Sequence, residues 1–369
     1  MSLEDYPDDD QIEVSIFGGG NSYGESILIH ATNHFWVIID STINPDSQSP
    51  LALEYLSSIS ANYKSLIKIA VATHWHDDHI RGLSQIISNS QNCNFLVVSE
   101  ALNTDNFLAL TEHDDLIKSF NSGIKEFRSI LSHISKPGNA LRLRKAISDR
   151  PHFDDIVKSI SIRISTLSPS DIEVDKAIKF FAEQLIELTN DPNFVLKKQN
   201  ENDHSVVTLI TIDDTTLLFG ADLEFTGRTD SGWQNILDSL VISIPKSIIY
   251  KVPHHGSSTS HNDAIWENLL HTNVYALITP WKKGAGRLPL LTDATNILSK
   301  TNNAFITSKF GDVKVKKRDK KVYKITNELD INITEIPYTY GHIRLRKKLN
   351  ESNWNVELFG NALHLKDLY

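Results

Sequence analysis

The chain is poor in the residues that build extracellular scaffolds and membrane spans. Its 369 residues include a single cysteine, Cys93, which excludes an intramolecular disulfide framework and points to a reducing compartment, the cytoplasm. Cys93 adjoins the apolar run Phe95-Leu96-Val97-Val98 and reads as a buried structural thiol rather than a nucleophile. No stretch approaches the roughly 18 apolar residues of a membrane helix. The opening Met1 to Asp10 is acidic and lacks the apolar centre of a secretory signal. Positive charge is the minority sign: 37 Lys and Arg stand against 46 Asp and Glu, a net charge of −9. That excludes a surface dedicated to coating nucleic acid, although not a local basic groove. There is no internal repeat and no low-complexity tract. The hydrophobic fraction of 40% is ordinary for a globular chain long enough to bury a large core.

What is present is concentrated in six residues, His74-Trp75-His76-Asp77-Asp78-His79. They follow the apolar run Ile67 to Ala72, which reads as a buried strand, and precede Ile80-Arg81-Gly82-Leu83, where a helix begins. In an extended segment His74 and His76 point the same way, because side chains alternate with period two. Neutral imidazoles with carboxylates suit zinc, manganese or iron. A histidine-rich surface turn is the bland alternative, but so many ligands on one strand-to-helix turn are costly to leave unpaired, and a metal site is expected.

Three later segments can complete it. His204 lies in Asn202-Asp203-His204-Ser205, entering the strand Val206 to Ile210. Taken alone, such a histidine is usually a surface residue. Asp222 ends the apolar strand Leu217 to Gly220, where an aspartate often only forms a turn. His254-His255 opens a small-residue loop, Gly256-Ser257, after Ile248-Ile249. Adjacent histidines in such a loop are rarely core.

The His-x-His-x-Asp-His pattern resembles the signature of the metallo-β-lactamase-like hydrolases. The likeness is strongest to the corresponding domain of bacterial DNA-uptake (competence) proteins. The shared segments run in order: Gly24 to Ile29, Val37-Ile38-Ile39-Asp40, Asn202 to Val207, Leu217 to Asp222 and Lys251 to Ser257, spanning roughly residues 12 to 300. The resemblance implies two divalent ions, zinc or manganese. His74 and His76 would hold the first, Asp78 and His79 the second, and Asp222 would bridge them. Asp77 falls at the variable position and is expected beside a ligand rather than on the metal. His204 as a further ligand rests on the wider superfamily, since competence-type domains usually lack that histidine. Glu25 stands where those domains carry Asp. Either His254 or His255 is the last ligand, leaving the other for the substrate or a leaving group.

The glycine-rich segment Phe17 to Ser26 is followed by the strand-like Ile27-Leu28-Ile29 rather than a helix, so a hairpin loop is favoured over a phosphate-cradling fingerprint. Strands are expected near 13–17, 25–30, 35–40 and 67–72, with helices near 50–60 and 80–90. Residues 101–200 carry charges at helical spacing and read as a largely helical insertion, acting as a lid or a homodimer surface. Strands resume at 206, and residues 300–369 read as a β-rich C-terminal extension. The expected fold is one α/β domain over 1–369, an αββα sandwich with the metals at one sheet edge.

The reaction implied is hydrolysis by a dimetal-activated water. The favoured substrate is a phosphodiester, DNA or RNA, with a small lactone, thioester or lactam as the enzyme alternative and a non-catalytic metal-binding scaffold as the alternative of another class. Candidate phosphate contacts are Lys251, Lys282-Lys283 with Arg287, and the alternating Lys314 to Lys324 segment, a solvated hairpin or an electrostatic footing.

Overall fold

The structure, a computed structural model, describes residues 6–19, 24–103, 105–111, 122–191, 194, 197, 200–240, 244–283, 285–310 and 340–369. The basic Lys314 to Lys324 segment lies outside these residues. Alternation of apolar residues along the strands builds two large sheets. The first comprises β1 (Gln11–Gly19), β2 (Glu25–Thr32), β3 (Phe35–Ile39), β4 (Ile67–Ala72), β5 (Phe95–Ser99) and β6 (Arg142–Ala146), joined later by β16 (Tyr340–Lys348) and β17 (Asn355–Gly360). Its order is β17-β16-β1-β2-β3-β4-β5-β6. The second comprises β7 (Arg150–Val157), β8 (Ile160–Thr166), β9 (Thr208–Ile212), β10 (Thr215–Phe219), β11 (Ser247–Lys251), β12 (Leu270–Ile278), β15 (Ala304–Ile306) and β18 (Leu363–His364). Its order is β18-β15-β12-β11-β10-β9-β8-β7. A small hairpin, β13 (Trp281–Lys283) and β14 (Gly286–Leu288), stands apart.

The two sheets face each other across an apolar layer. Val14, Ile16, Ile27, Ile29, Val37 and Val71 of the first sheet share one cluster with Ile210, Leu217, Phe219 and Ile249 of the second. The residues one step along each strand point outward beneath helices. Leu28, Trp36, Ile38 and Ala70 pack with the helix Leu51–Ile59, which turns Leu51, Ala52, Tyr55, Leu56 and Ile59 inward at helical spacing. On the far side Leu218, Tyr250, Ala276 and Ile278 pack with Trp233, Ile265 and Ile297. The chain is therefore an αββα sandwich, as its sequence pattern predicts. Between 101 and 200 it holds the helices Asp105–Thr111, Ser122–Ile134 and Asp171–Asn190, and also β6, β7 and β8, which are strands of the two main sheets.

In each sheet one central strand marks a change from antiparallel to parallel pairing, and the second sheet turns antiparallel again at its edge, between β15 and β18. β3 pairs antiparallel with β2 and parallel with β4. β10 pairs antiparallel with β9 and parallel with β11. Open α/β sheets bind ligands beyond the carboxyl ends of strands at such switch points. Asp40 and His74 follow β3 and β4, while Asp222 and His254-His255 follow β10 and β11. Among the described residues, no helix is long and apolar enough to cross a membrane.

Candidate metal centre

The loops leaving these strand ends converge. Asp40, Ala221, His254 and His255 all adopt left-handed backbone angles, with φ of 58°, 47°, 45° and 56°. Side-chain-bearing residues pay for that conformation, and such strain gathers where a site over-determines the geometry. Gly24, at φ 82°, meets the motif from the β1–β2 hairpin. A Cβ there would lie 1.7 Å from the Asp78 carbonyl oxygen, so only glycine permits this approach. The hairpin expected for the glycine-rich segment is formed by β1 and β2.

Within this frame three ligand groups assemble: His74, His76 and Asp222; Asp78, His79 and His255; and Glu25, His79 and Asp222. In each group the ligand atoms lie within 4.8 Å of one another. The hydrogen bonds around the histidines assign their tautomers. The Thr73 hydroxyl donates to Asp40 Oδ2 at 2.6 Å, so its oxygen is left to accept from His74 Nδ1–H at 3.0 Å. His76 Nε2–H donates to Glu201 at 3.0 Å. His79 Nδ1–H donates to Asp40 Oδ2 at 2.7 Å. His255 Nδ1–H donates to the Thr279 carbonyl at 3.0 Å. Each ring has one nitrogen committed as a donor, and the other nitrogen presents a lone pair. These lone pairs point at one another and at carboxylates. His74 Nε2 is 3.0 Å from His76 Nδ1, and His255 Nε2 is 3.4 Å from Asp78 Oδ2 and 3.5 Å from Asp222 Oδ2. His79 Nε2 and Asp222 Oδ1 are buried 3.4 Å apart, and neither makes a hydrogen bond. Acceptors facing acceptors in a buried site fit divalent cations, and the carbonyl or carboxylate behind each imidazole is the usual support of a metal-binding histidine.

The electrostatics agree. Burial, reinforced by the neighbouring His79 and His76, holds His74 well below the ordinary histidine range, as a neutral ligand requires. Burial alone would also lower His79, yet the charges of Asp222 and Glu25, the close approach of Asp222 and the hydrogen bond to Asp40 raise it well above that range, so the place a cation would take beside Asp222 draws a proton. Burial disfavours the Asp222 carboxylate, but His79, His255 and Lys251 outweigh it and keep Asp222 ionised. The pocket is a trap for positive charge.

Six of the eight sequence-predicted residues thus fall into the ligand groups, and two do not. His254 turns away from them: Nδ1 lies 3.5 Å from Glu224 and Nε2 lies 3.4 Å from Asn202 Nδ2. Adjacent residues in left-handed conformation send their side chains in different directions, so the sequence left this pair unresolved. His204 is buried, with neither ring nitrogen hydrogen-bonded, and burial pushes it down to about 4. Its charged neighbours are Glu173, Glu201 and Lys176 rather than the cluster. Asp77 has a buried Oδ1 without a hydrogen bond and belongs to none of the groups. Lys251, expected at a phosphate, is instead fully buried, 2.7 Å from Glu25 Oε2. An ammonium beside a buried carboxylate is drawn inward, whatever its place in the motif. Asp40, Thr73, Glu201, Glu224 and Thr279 were not among the candidates. Asp40 alone carried a signal, as the polar residue ending an otherwise apolar strand.

The open side of the cluster is formed by His76, Asp78, His254, Glu201 and Glu224, whose side chains are 16–29% exposed. The remaining ligands and their partners are buried.

The match to a family model agrees with this arrangement. The family model described as "Metallo-beta-lactamase superfamily" matches residues 19–265. Among solved structures, the short form of human tRNase Z is similar at 12% identity, covering 69% of this chain and 80% of that one, with a TM-score of 0.35. A metallo-beta-lactamase from Hirschia baltica is similar at 13% identity, covering 62% and 76%, with a TM-score of 0.30. No curated protein matches.

Proposed function

Because the chain belongs to the metallo-beta-lactamase superfamily, a superfamily of metal-dependent hydrolases, we propose that it is a two-metal phosphodiesterase acting on nucleic acid or a related phosphodiester. The observation that carries the hydrolase reading is the set of four histidines. Each commits one ring nitrogen to a hydroxyl, carboxylate or carbonyl and turns the other towards Asp78, Asp222 or a second histidine. His74 and His76 would hold one ion and Asp78, His79 and His255 the other, with Asp222 shared. His204 is left out. When bound, such an ion pair supplies a water whose pKa is lowered towards about 7 and offsets the negative charge of the transition state.

The protein's own residues supply the rest. His254 stands at the open side and is not needed as a ligand. Burial disfavours its charge, but the hydrogen bond to Glu224 raises it above the ordinary histidine range. It therefore presents a proton donor where a leaving oxygen would depart. Glu224 stays ionised beside it: burial opposes this, yet hydrogen bonds from His254 and Asn202 bring the carboxyl down to about 2.

Two features favour a phosphodiester. One is the ordered series of motifs shared with competence-type domains. The other is a groove of about 470 Å³ between the helices Leu83–Asn89 and Ser122–Ile134. Arg128, His133 and Lys136 line it with serine hydroxyls between them. The second helix starts against the motif, where a Cβ on Gly123 would lie 1.9 Å from the Trp75 carbonyl oxygen. A panel of single- and double-stranded DNA, RNA, cyclic nucleotides and a lactone tests the reading. Phosphodiester cleavage that a chelator abolishes and manganese or zinc restores is expected. Lactone turnover without any phosphodiester cleavage would reverse it.

A further inference from the structure

The geometry points to Glu25, Lys251 and Thr279 as a buried brace between the two sheets that positions Asp222 and His255, and so bears more heavily on the second metal position than on the first. The inference rests on the two-metal reading above and goes beyond it, because none of the three residues is a ligand in that reading.

Glu25 opens β2 in the first sheet, Lys251 closes β11 in the second, and Thr279 follows β12. Glu25 Oε2 accepts from Lys251 Nζ at 2.7 Å and from the Thr279 hydroxyl at 2.5 Å. Lys251 Nζ also donates to the Ala221 carbonyl at 3.2 Å and stands 3.9 Å from Asp222 Oδ1. Ala221 holds a left-handed backbone just before Asp222, so the clamp on its carbonyl fixes the direction in which Asp222 leaves β10. On the other arm, the backbone carbonyl of Thr279 accepts from His255 Nδ1 while its hydroxyl is tied to Glu25. One carboxylate thereby anchors the supports of two ligands. All three residues are essentially fully buried, so water cannot substitute for a missing partner. His74 and His76 rely on different supports, Thr73 with Asp40 and Glu201. Damage to the brace should therefore reach the second metal position through both His255 and Asp222, and the first only through the shared Asp222, weakening the second more. Lys251 is a cation, and Glu25, although grouped with His79 and Asp222, commits Oε2 to Lys251 and Thr279 and turns Oε1 to His79 Nδ1 at 3.8 Å, the nitrogen that donates to Asp40, so both act as positioning residues.

Metal-stripped full-length protein, titrated with zinc against a chromophoric chelator, tests this in the wild type, Lys251→Met, Glu25→Gln and the double variant. The wild type should take up two ions. Each variant should bind one ion about 10–100-fold more weakly, the usual effect of losing the support behind a ligand, and the other ion with a smaller loss. Either single change strands a buried charge and can impair folding, so the double variant decides. It removes both charges and should recover thermal stability relative to the singles, yet still bind the second ion weakly. A double variant that binds both ions like the wild type would make the pair a fold element only and overturn the inference. Equal weakening of both ions would overturn its selectivity. A wild type that takes up fewer than two ions overturns the two-metal reading itself, a failure visible before any variant is compared.

Discussion

Replacing Asp40 by asparagine keeps the side-chain volume and removes the capacity to accept at both oxygens. In the native fold Oδ1 accepts from the Thr73 amide at 2.8 Å, while Oδ2 accepts from the Thr73 hydroxyl at 2.6 Å and His79 Nδ1–H at 2.7 Å. An amide can satisfy only one of these sides. With its oxygen at the Oδ2 position, its NH2 faces the Thr73 amide, donor against donor, in a site without solvent. With its oxygen at the Oδ1 position, the NH2 faces His79, and the clash is relieved only by moving the imidazole proton to Nε2. That proton then covers the lone pair next to Asp222. An unmet buried donor costs about 1–3 kcal/mol, which sets the expected loss of stability in the first arrangement. Loss of the carboxylate behind a ligand histidine lowers metal affinity about 10–100-fold, or about 1.4–2.7 kcal/mol, which sets the loss in the second. Calorimetric melting of the metal-stripped protein reads the first quantity, and chelator competition reads the second. An Asp40→Asn protein with unchanged melting and two ions at wild-type affinity would refute the tautomer argument, because one of the two penalties must appear.

Further outcomes follow from other positions. Gly24→Ala should destabilise the fold by more than the about 1–2 kcal/mol of a left-handed alanine, because its Cβ would sit 1.7 Å from the Asp78 carbonyl; an unchanged melting temperature contradicts the close approach. Burial pushes His30 down to about 4, against a partial offset from its hydrogen bond to Gln11. The unfolded chain takes up that proton first, near 6.5. Stability should therefore fall as pH drops from about 6.5 to about 4, by up to about 3 kcal/mol from this residue. His30→Gln should flatten that stretch of the stability profile, and an identical profile refutes it. His204→Ala should retain both ions by elemental analysis, whereas loss of one would return His204 to the ligand set. Replacing Arg128 and Lys136 with Gln should weaken binding of a long nucleic acid and lower its log–log salt slope by about 0.7–0.9 per lost contact. An unchanged slope would take the substrate away from this groove.

Much of the fold and the centre of the site could be read from the chain because their signals are local. The runs at 69–72 and 217–219 are apolar throughout, as strands buried on both faces must be, and the ligands His74, His76, Asp78 and His79 sit within one strand-to-helix turn. What escaped the sequence depends on distant partners. Asp40 reads as a strand end until Thr73 and His79 are brought to it. Lys251 reads as a surface cation until β2 delivers Glu25. His254 and His255 are equivalent neighbours until their backbone angles separate them. Strands β6 to β8 were hidden inside a helical reading because β6 and β7 are edge strands, rich in Arg, Lys and Asp and partly exposed, so neither shows an apolar period. The helices Ser122–Ile134 and Asp171–Asn190 flank these strands.

Whether two ions share Asp222 is read from elemental analysis of the wild type beside Asp222→Ala. Two divalent ions per chain in the wild type are expected, with a sharp loss in a variant that circular dichroism shows to be folded, since Asp222 lies in ligand groups with both His74-His76 and His79. Full metal content in a folded Asp222→Ala protein would contradict the account.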